Sequence, residues 1–110
     1  MISPTIGRVL WYYEQGSTAA EQPLPAVVTA VWGDRCVNLA VFARNGVPMS
    51  HPPTSVALAQ EEDQVPLQAD GTHARHCRWM PYQIQSAAAA ARRAADARGR
   101  GGVAAAFASA

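Results

Sequence analysis

A chain of 110 residues with nine basic and eight acidic side chains holds one domain at most, and a net charge of +1 is too small to argue for a nucleic-acid-coating protein. No run of about 18 apolar residues occurs, so no membrane-spanning helix is expected. The charge is uneven: residues 1–83 carry five arginines against seven acids, a net −2, whereas residues 84–110 carry Arg92, Arg93, Arg98 and Arg100 against Asp96, a net +3.

In chain order, Ile6 to Tyr13 is rich in β-branched and aromatic residues and predicts a first strand. A polar loop over 14–25 follows, closed by two prolines. Ala26 to Trp32 predicts a second strand. Gly33-Asp34-Arg35 then turns tightly into a third, Cys36 to Ala43, as in a β-hairpin. Asn45-Gly46 suits a type I′ turn. Three prolines over 48–53 dictate an edge or an irregular crossing, because proline cannot donate to a ladder. Thr54 to Ala59 is a fourth strand, 60–73 a long acidic loop, and Ala74 to Met80 a fifth strand ended by Pro81.

Five short strands in about 75 residues predict a mainly β fold: a small antiparallel five-stranded barrel, SH3-like or OB-like, over residues 1–81. The second and third strands are apolar on both faces. One face fills the barrel; the other is expected to be covered by the first loop, the C-terminal arm or, preferably, another subunit.

Residues 82–110 form the arm. Of the 27 residues after Gln83, 13 are alanine, the best helix former, and Tyr82 to Arg98 predicts a helix stopped by Gly99. Its methyl-sized surface buries little area. Arg92, Arg93, Arg98, Arg100 and Phe107 are the candidate docking residues, with Phe107 able to plug a pocket on a neighbour. All nine basic residues of the chain are arginine, which together with the alanine excess is the composition a GC-rich genome produces.

Chemistry-bearing candidates are few. Cys36 and Cys77 are the only cysteines, and residues 1–30 contain no signal-peptide pattern, so free thiols in a reducing compartment are expected. His73, His76 and Cys77 cluster but lack zinc-ligand spacing, since neighbours on a strand point to opposite faces. Ser50-His51 has no partner acid in sequence. Asp34 and Glu61-Glu62-Asp63 lack calcium-loop spacing. No glycine loop follows a strand to cradle phosphate. No enzymatic activity, cofactor or metal is therefore expected. What remains is a binding patch: Arg8, Trp11 and Tyr13 from the first strand with Arg75, Arg78, Trp79 and Tyr82 from the last, if these strands are neighbours. Arginines and aromatics on one surface suit an acidic protein, a nucleic-acid strand or a nucleotide-like molecule. The opposing possibility is that Trp11 and Trp79 are core.

The series Pro4-Thr5-Ile6-Gly7-Arg8-Val9, Pro25-Ala26-Val27-Val28-Thr29-Ala30-Val31-Trp32, Val37-Asn38-Leu39-Ala40-Val41-Phe42 and Cys77-Arg78-Trp79-Met80-Pro81-Tyr82-Gln83 resembles a family of small proteins encoded by tailed bacteriophages and prophages. The resemblance spans about residues 4–85. It implies a phage origin more than an activity. Trp11-Tyr12 stands where the pattern has histidine before tyrosine, so no role of that histidine carries over. Two functions follow as expectations. One is a virion accessory protein, a capsid decoration, cement or tail-associated subunit that joins a major capsid or tail protein after assembly in the host cytoplasm. The other is an anti-defence homo-oligomer that sequesters a nucleotide-type signal.

Overall fold

The computed structural model describes residues 1–99. They fall into two units, Met1–Met80 and the segment from Pro81 onward. The first contains strands β1 (Val9–Tyr13), β2 (Leu24–Gly33), β3 (Cys36–Val41), β4 (Val56–Ala59) and β5 (His76–Arg78); the second is helix α1 (Pro81–Gly99).

The five strands close into a barrel in the order β1-β2-β3-β4-β5, with β1 also paired to β5. The fold class is therefore the expected one. The direction of one strand pair differs: β4 and β5 run parallel, with Leu58 opposite Cys77 and Ala59 opposite Arg78, so the barrel is mixed. A parallel pair needs a connection of a dozen or more residues, and residues 60–75 supply it. That segment is also more ordered than an acidic loop suggests. Gln68 N donates to Thr72 O at 2.7 Å and Ala74 N to Pro66 O at 3.0 Å, making a small hairpin whose turn places Gly71 at φ +86°.

Alternation builds the core. Along β3 the odd positions Val37, Leu39 and Val41 are buried, whereas Cys36, Asn38 and Ala40 are half-buried on the outside. Leu10 and Tyr12 of β1, Leu24, Ala26 and Val28 of β2, Val56 and Leu58 of β4 and Cys77 of β5 are also buried. The long β2 changes register between Val28 and Ala30, a bulge that lets ten residues bend around the barrel. The proline run of 48–53 skirts β3 as an irregular crossing: Met49 N donates to Val41 O at 2.8 Å and Leu39 N to Pro53 O at 3.2 Å. The Asn45-Gly46 turn is not type I′. Only Gly46 has positive φ, and Gly46 N and Ala43 N close a three-residue loop onto Ala43 O and Val47 O, each at 2.8 Å.

Helix α1 begins one residue earlier than its alanine content suggests. Pro81 opens it instead of ending β5, which stops at Arg78, because proline's fixed φ and missing N–H suit the first helical position. Arg98 lies in the last turn, where a cation complements the helix dipole. Because the barrel's strands close on themselves, a chain truncated after Gln83 is expected to melt cooperatively within about 2 °C of the full chain. A calorimetric scan showing a lost or broadened transition would overturn that expectation.

Candidate functional site

β1 and β5 are neighbours, with Trp11 opposite Arg78 and Tyr13 opposite His76. Of the expected patch, Trp11, Tyr13 and Arg78 share the outer face. Trp79 does not. It is 3% exposed, and its indole N–H donates to Gln60 Oε1 at 3.2 Å. Arg8 caps it, with the guanidinium carbon 5.3 Å from the ring centroid, a cation–π contact. Arg75 is exposed and donates to Thr54 O at 3.0 Å. Tyr82 belongs to α1, where it is exposed, as are Arg92, Arg93 and Arg98. Arg100 and Phe107 lie outside the described residues. The seven-residue patch is thus divided among the barrel's outer face, its core and the helical unit.

The barrel's outer face continues beyond that patch. Val9 faces Val27 across the β1–β2 ladder, and Val27 faces Ala40 across β2–β3. In the next row Trp11 lies between Arg78 and Pro25, and Phe42 N donates to Pro25 O at 3.0 Å. Ile6, Val9, Val31 and Trp32 are exposed on β1, on β2 or on the turn that leads into β1; Gly7 N donates to Val28 O at 2.8 Å and sets Ile6 beside the β2 bulge.

Trp32 is the outstanding member, at 65% exposed. It is nonetheless held. Its indole N–H donates to Asn38 Oδ1 at 2.9 Å, and the same oxygen accepts from Ser55 N at 2.8 Å. Ser55 sits at φ +51°, a left-handed conformation costly for a non-glycine residue, and its amide is thereby aimed at Asn38. A solvent-facing indole fixed by its own strand pair is preorganised for a partner.

No protein-family model, curated protein or solved structure matches the chain.

A second feature lies at one end of the barrel. A cleft of about 170 Å³ opens between the end of β1 and the loop that leads to β2, lined among others by Tyr12, Tyr13, Glu14, Ser17, Glu21 and Arg44. The loop is clipped in place. Gly16 N donates to His73 O and His73 N to Ser17 O, each at 2.8 Å, and Ser17 Oγ lies 2.9 Å from His73 Nδ1. Because the Ser17 hydroxyl donates to Glu14 O at 2.7 Å, its oxygen is the acceptor toward His73.

His73 and His76 do come together, with rings 5.4 Å apart, and Tyr13 lies against both. Tyr13 stacks on His76 at 4.7 Å and meets His73 edge-on at 5.2 Å. Cys77 points the other way, into the barrel, where burial pushes its thiol up to about 12. Both cysteines are free. Among the described residues no three histidines, cysteines or acids gather in a metal-binding group. Ser50 Oγ lies 3.2 Å from His51 Nδ1 on the exposed proline-rich crossing.

Two polar devices escaped the sequence reading. The acidic run binds Arg35: Nε reaches Asp63 Oδ2 at 2.8 Å, and Nη2 reaches Asp63 Oδ1 at 3.0 Å and Glu62 Oε1 at 3.2 Å. The Arg35 bonds, joined by the Gln60 amide, hold the Asp63 carboxyl below its ordinary range. Gln60 itself is buried and bonded through its amide oxygen and nitrogen to the N-terminus, the β2–β3 turn and Trp79. The hairpin spacing was the available signal for the first; nothing in the sequence marked the second.

Proposed function

We propose that this protein is a non-catalytic docking subunit and, on its resemblance to small phage proteins, a virion accessory protein that joins a capsid or tail lattice in the host cytoplasm. The observation that carries the reading is Trp32, exposed yet fixed by Asn38, beside an apolar outer face of β1 and β2. Contiguous exposed apolar surface on a small barrel marks an interaction site, and tryptophan is the residue type most enriched at binding hot spots. The charged side chains at this face are Arg8 and Arg78, and neither forms an ion pair among the described residues. The fitting partner is therefore a protein surface with an apolar centre fringed by carboxylates.

The alternative, a homo-oligomer that sequesters a nucleotide-type signal, draws on stacking by Trp11 and Trp79. With Trp79 in the core and its ring capped by Arg8, that patch offers a smaller stacking surface, and docking is the better supported reading.

Particles of the encoding phage, purified and analysed by mass spectrometry, are expected to contain this chain at stoichiometric copy number; its absence sinks the virion assignment. Trp32→Asp is expected to weaken attachment to such particles by about tenfold or more, with an unchanged melting temperature, since truncation of an interface tryptophan typically costs upward of ~2 kcal/mol. Attachment unaffected by Trp32→Asp would move the docking surface elsewhere.

A further inference from the structure

Trp32, Asn38 and Ser55 form one hydrogen-bonded group near the β2–β3 turn, and its capacity for further bonds is lopsided. The indole N–H is spent on Asn38 Oδ1 at 2.9 Å, and Ser55 N donates to the same oxygen at 2.8 Å. Two donors on one oxygen settle which end of the amide is which, and they use both of its lone pairs. The amide nitrogen Nδ2 keeps two N–H bonds and has no partner among the described residues. It is not sealed either: Asn38 is half-buried, and the buried side-chain nitrogen or oxygen left without a partner among the described residues is His76 Nε2, on β5. Because Nδ2 and Oδ1 share one carbon, these free donors stand next to the edge of the indole. The hydroxyl of the exposed Ser55 also has no partner among the described residues.

The apolar part of the site is a fixed ring with a small neighbour. Ala30 pairs with Asn38 and lies one strand alternation from Trp32, so the outer-face neighbour of Trp32 on its own strand is methyl-sized, and the indole stays 65% exposed. A ring already held in place loses little freedom when a partner packs on it. The nearby charges are mostly acidic. Asp34 at the turn is in no ion pair among the described residues, and Arg35 is held by Asp63 and Glu62. These four side chains leave an acidic excess, which repels a nucleic-acid backbone or a nucleotide phosphate.

We infer that Trp32 and Asn38 receive a proline-rich segment of the partner protein in the polyproline II conformation. The inference rests on the docking reading of Trp32 and names the chemistry of its partner. Such a segment has no backbone N–H at its prolines and carries unbonded carbonyls along its length, so it brings acceptors to a site that retains donors. A proline ring packs on the indole, and a neighbouring carbonyl accepts from Asn38 Nδ2. The segment is largely ordered before it binds, so an exposed site with one aromatic anchor suffices to hold it. A saccharide offers hydroxyls that need acceptors as well as donors, and Asn38 Oδ1 is already full. A basic residue at the end of the segment meets the acidic excess of the turn.

The test is an NMR titration of the nitrogen-labelled full chain with nonaproline ending in lysine, run beside a glycine–serine peptide of equal length and charge and beside maltohexaose. The proline peptide is expected to shift the Trp32 indole N–H and the Asn38 side-chain amide resonances saturably, with a Kd of about 1 mM or lower, and the glycine–serine peptide to shift neither. Trp32→Ala is expected to abolish binding. Asn38→Asp keeps an oxygen for the indole and for Ser55 N but removes the free donors. It is expected to weaken the proline peptide about tenfold while the Trp32 indole N–H keeps its hydrogen-bonded position, a split that a merely structural role of Asn38 would not produce. Equal shifts from the glycine–serine peptide overturn the inference, as do shifts from maltohexaose in place of the proline peptide, or a concentration-dependent dimer through Trp32 to which the peptide is inert. Peptide binding that Asn38→Asp leaves unchanged overturns it too. If the peptide is inert while Trp32→Asp still lowers attachment to particles, docking through Trp32 stands and its proline-rich partner does not.

Discussion

Replacing Gln60 with leucine is expected to destabilise the barrel by about 3 kcal/mol, the largest single-residue effect predicted for this chain. Gln60 is 1% exposed and satisfies both ends of its amide. Its Oε1 accepts from Ile2 N at 3.0 Å and from Trp79 Nε1 at 3.2 Å; its Nε2 donates to Asp34 O at 2.7 Å and Ile2 O at 2.9 Å. One side chain thus joins the N-terminal segment, the β2–β3 turn and the end of β5, three places with no ladder between them. Leucine fits the volume but leaves the Trp79 indole N–H and the Asp34 carbonyl without their partner. A buried polar group left unsatisfied costs about 1–3 kcal/mol. For a body of this size the loss corresponds to a fall in melting temperature of roughly 15 °C. Urea denaturation read by tryptophan fluorescence checks it, with the exposed Gln85→Ala change as a silent control. A midpoint shift below about 1 kcal/mol equivalent would mean that water replaces the amide and that Gln60 is not a hub.

Part of this architecture is written in the sequence in a form that physics can read. Apolar runs on both sides of Gly33-Asp34-Arg35 become the β2–β3 hairpin because a two-residue connection leaves adjacent strands no other way to pair. The alanine run becomes α1 because alanine gives up almost no side-chain entropy in a helix. Other features have no local signal. The parallel direction of β4 against β5 depends on how residues 60–75 travel, and apolar content does not encode direction. The phase of β5 is equally opaque: three residues are too few to show alternation, so Trp79 could be assigned to either face, and the ladder puts it inside. Gln60, placed between a strand and an acidic run, looks like any loop glutamine. Trp32 belongs to the predicted second strand, whose apolar residues fall on both faces, and only the β2 register shift near Val31 and Gly33 places its indole beside Asn38 on the outside. The site was therefore legible as arginine- and aromatic-rich strands, while its true membership depended on registers that only the closed barrel fixes.

Below about pH 6.5 the barrel is expected to lose stability through His76, and replacing that residue with phenylalanine is expected to abolish the loss. His76 is 0% exposed. Its Nδ1 lies 2.7 Å from Ala74 O; a carbonyl can only accept, so Nδ1 carries the proton and Nε2 is a bare lone pair with no partner. Burial is the main force that pushes its pKa below the ordinary histidine value; the bond to Ala74 O opposes this, and His73 and Arg78 reinforce it. The groups facing the ring are His73 from the residue 66–74 hairpin, Tyr13 from β1 and Arg78 from its own strand, and no carboxylate contributes to its titration. The unfolded chain therefore takes up a proton near pH 6.5 while the folded barrel resists. Stability is fully present above that pH and falls as the pH drops toward the depressed folded value, at no more than about 1.4 kcal/mol per unit for one proton. His76→Phe keeps the ring stacked on Tyr13 and removes both the titration and the unpartnered nitrogen, so its stability at pH 7 is expected to stay within about 1 kcal/mol of the parent and to change little down to pH 5. Urea midpoints measured between pH 7.5 and 5 on both chains check the sign, in a window above the range where Asp63, held low by Arg35, begins to protonate. Equal losses in the two chains would assign the acid sensitivity to another group, and no loss in either would mean that the barrel accepts a charged His76 through a route for water past Tyr13.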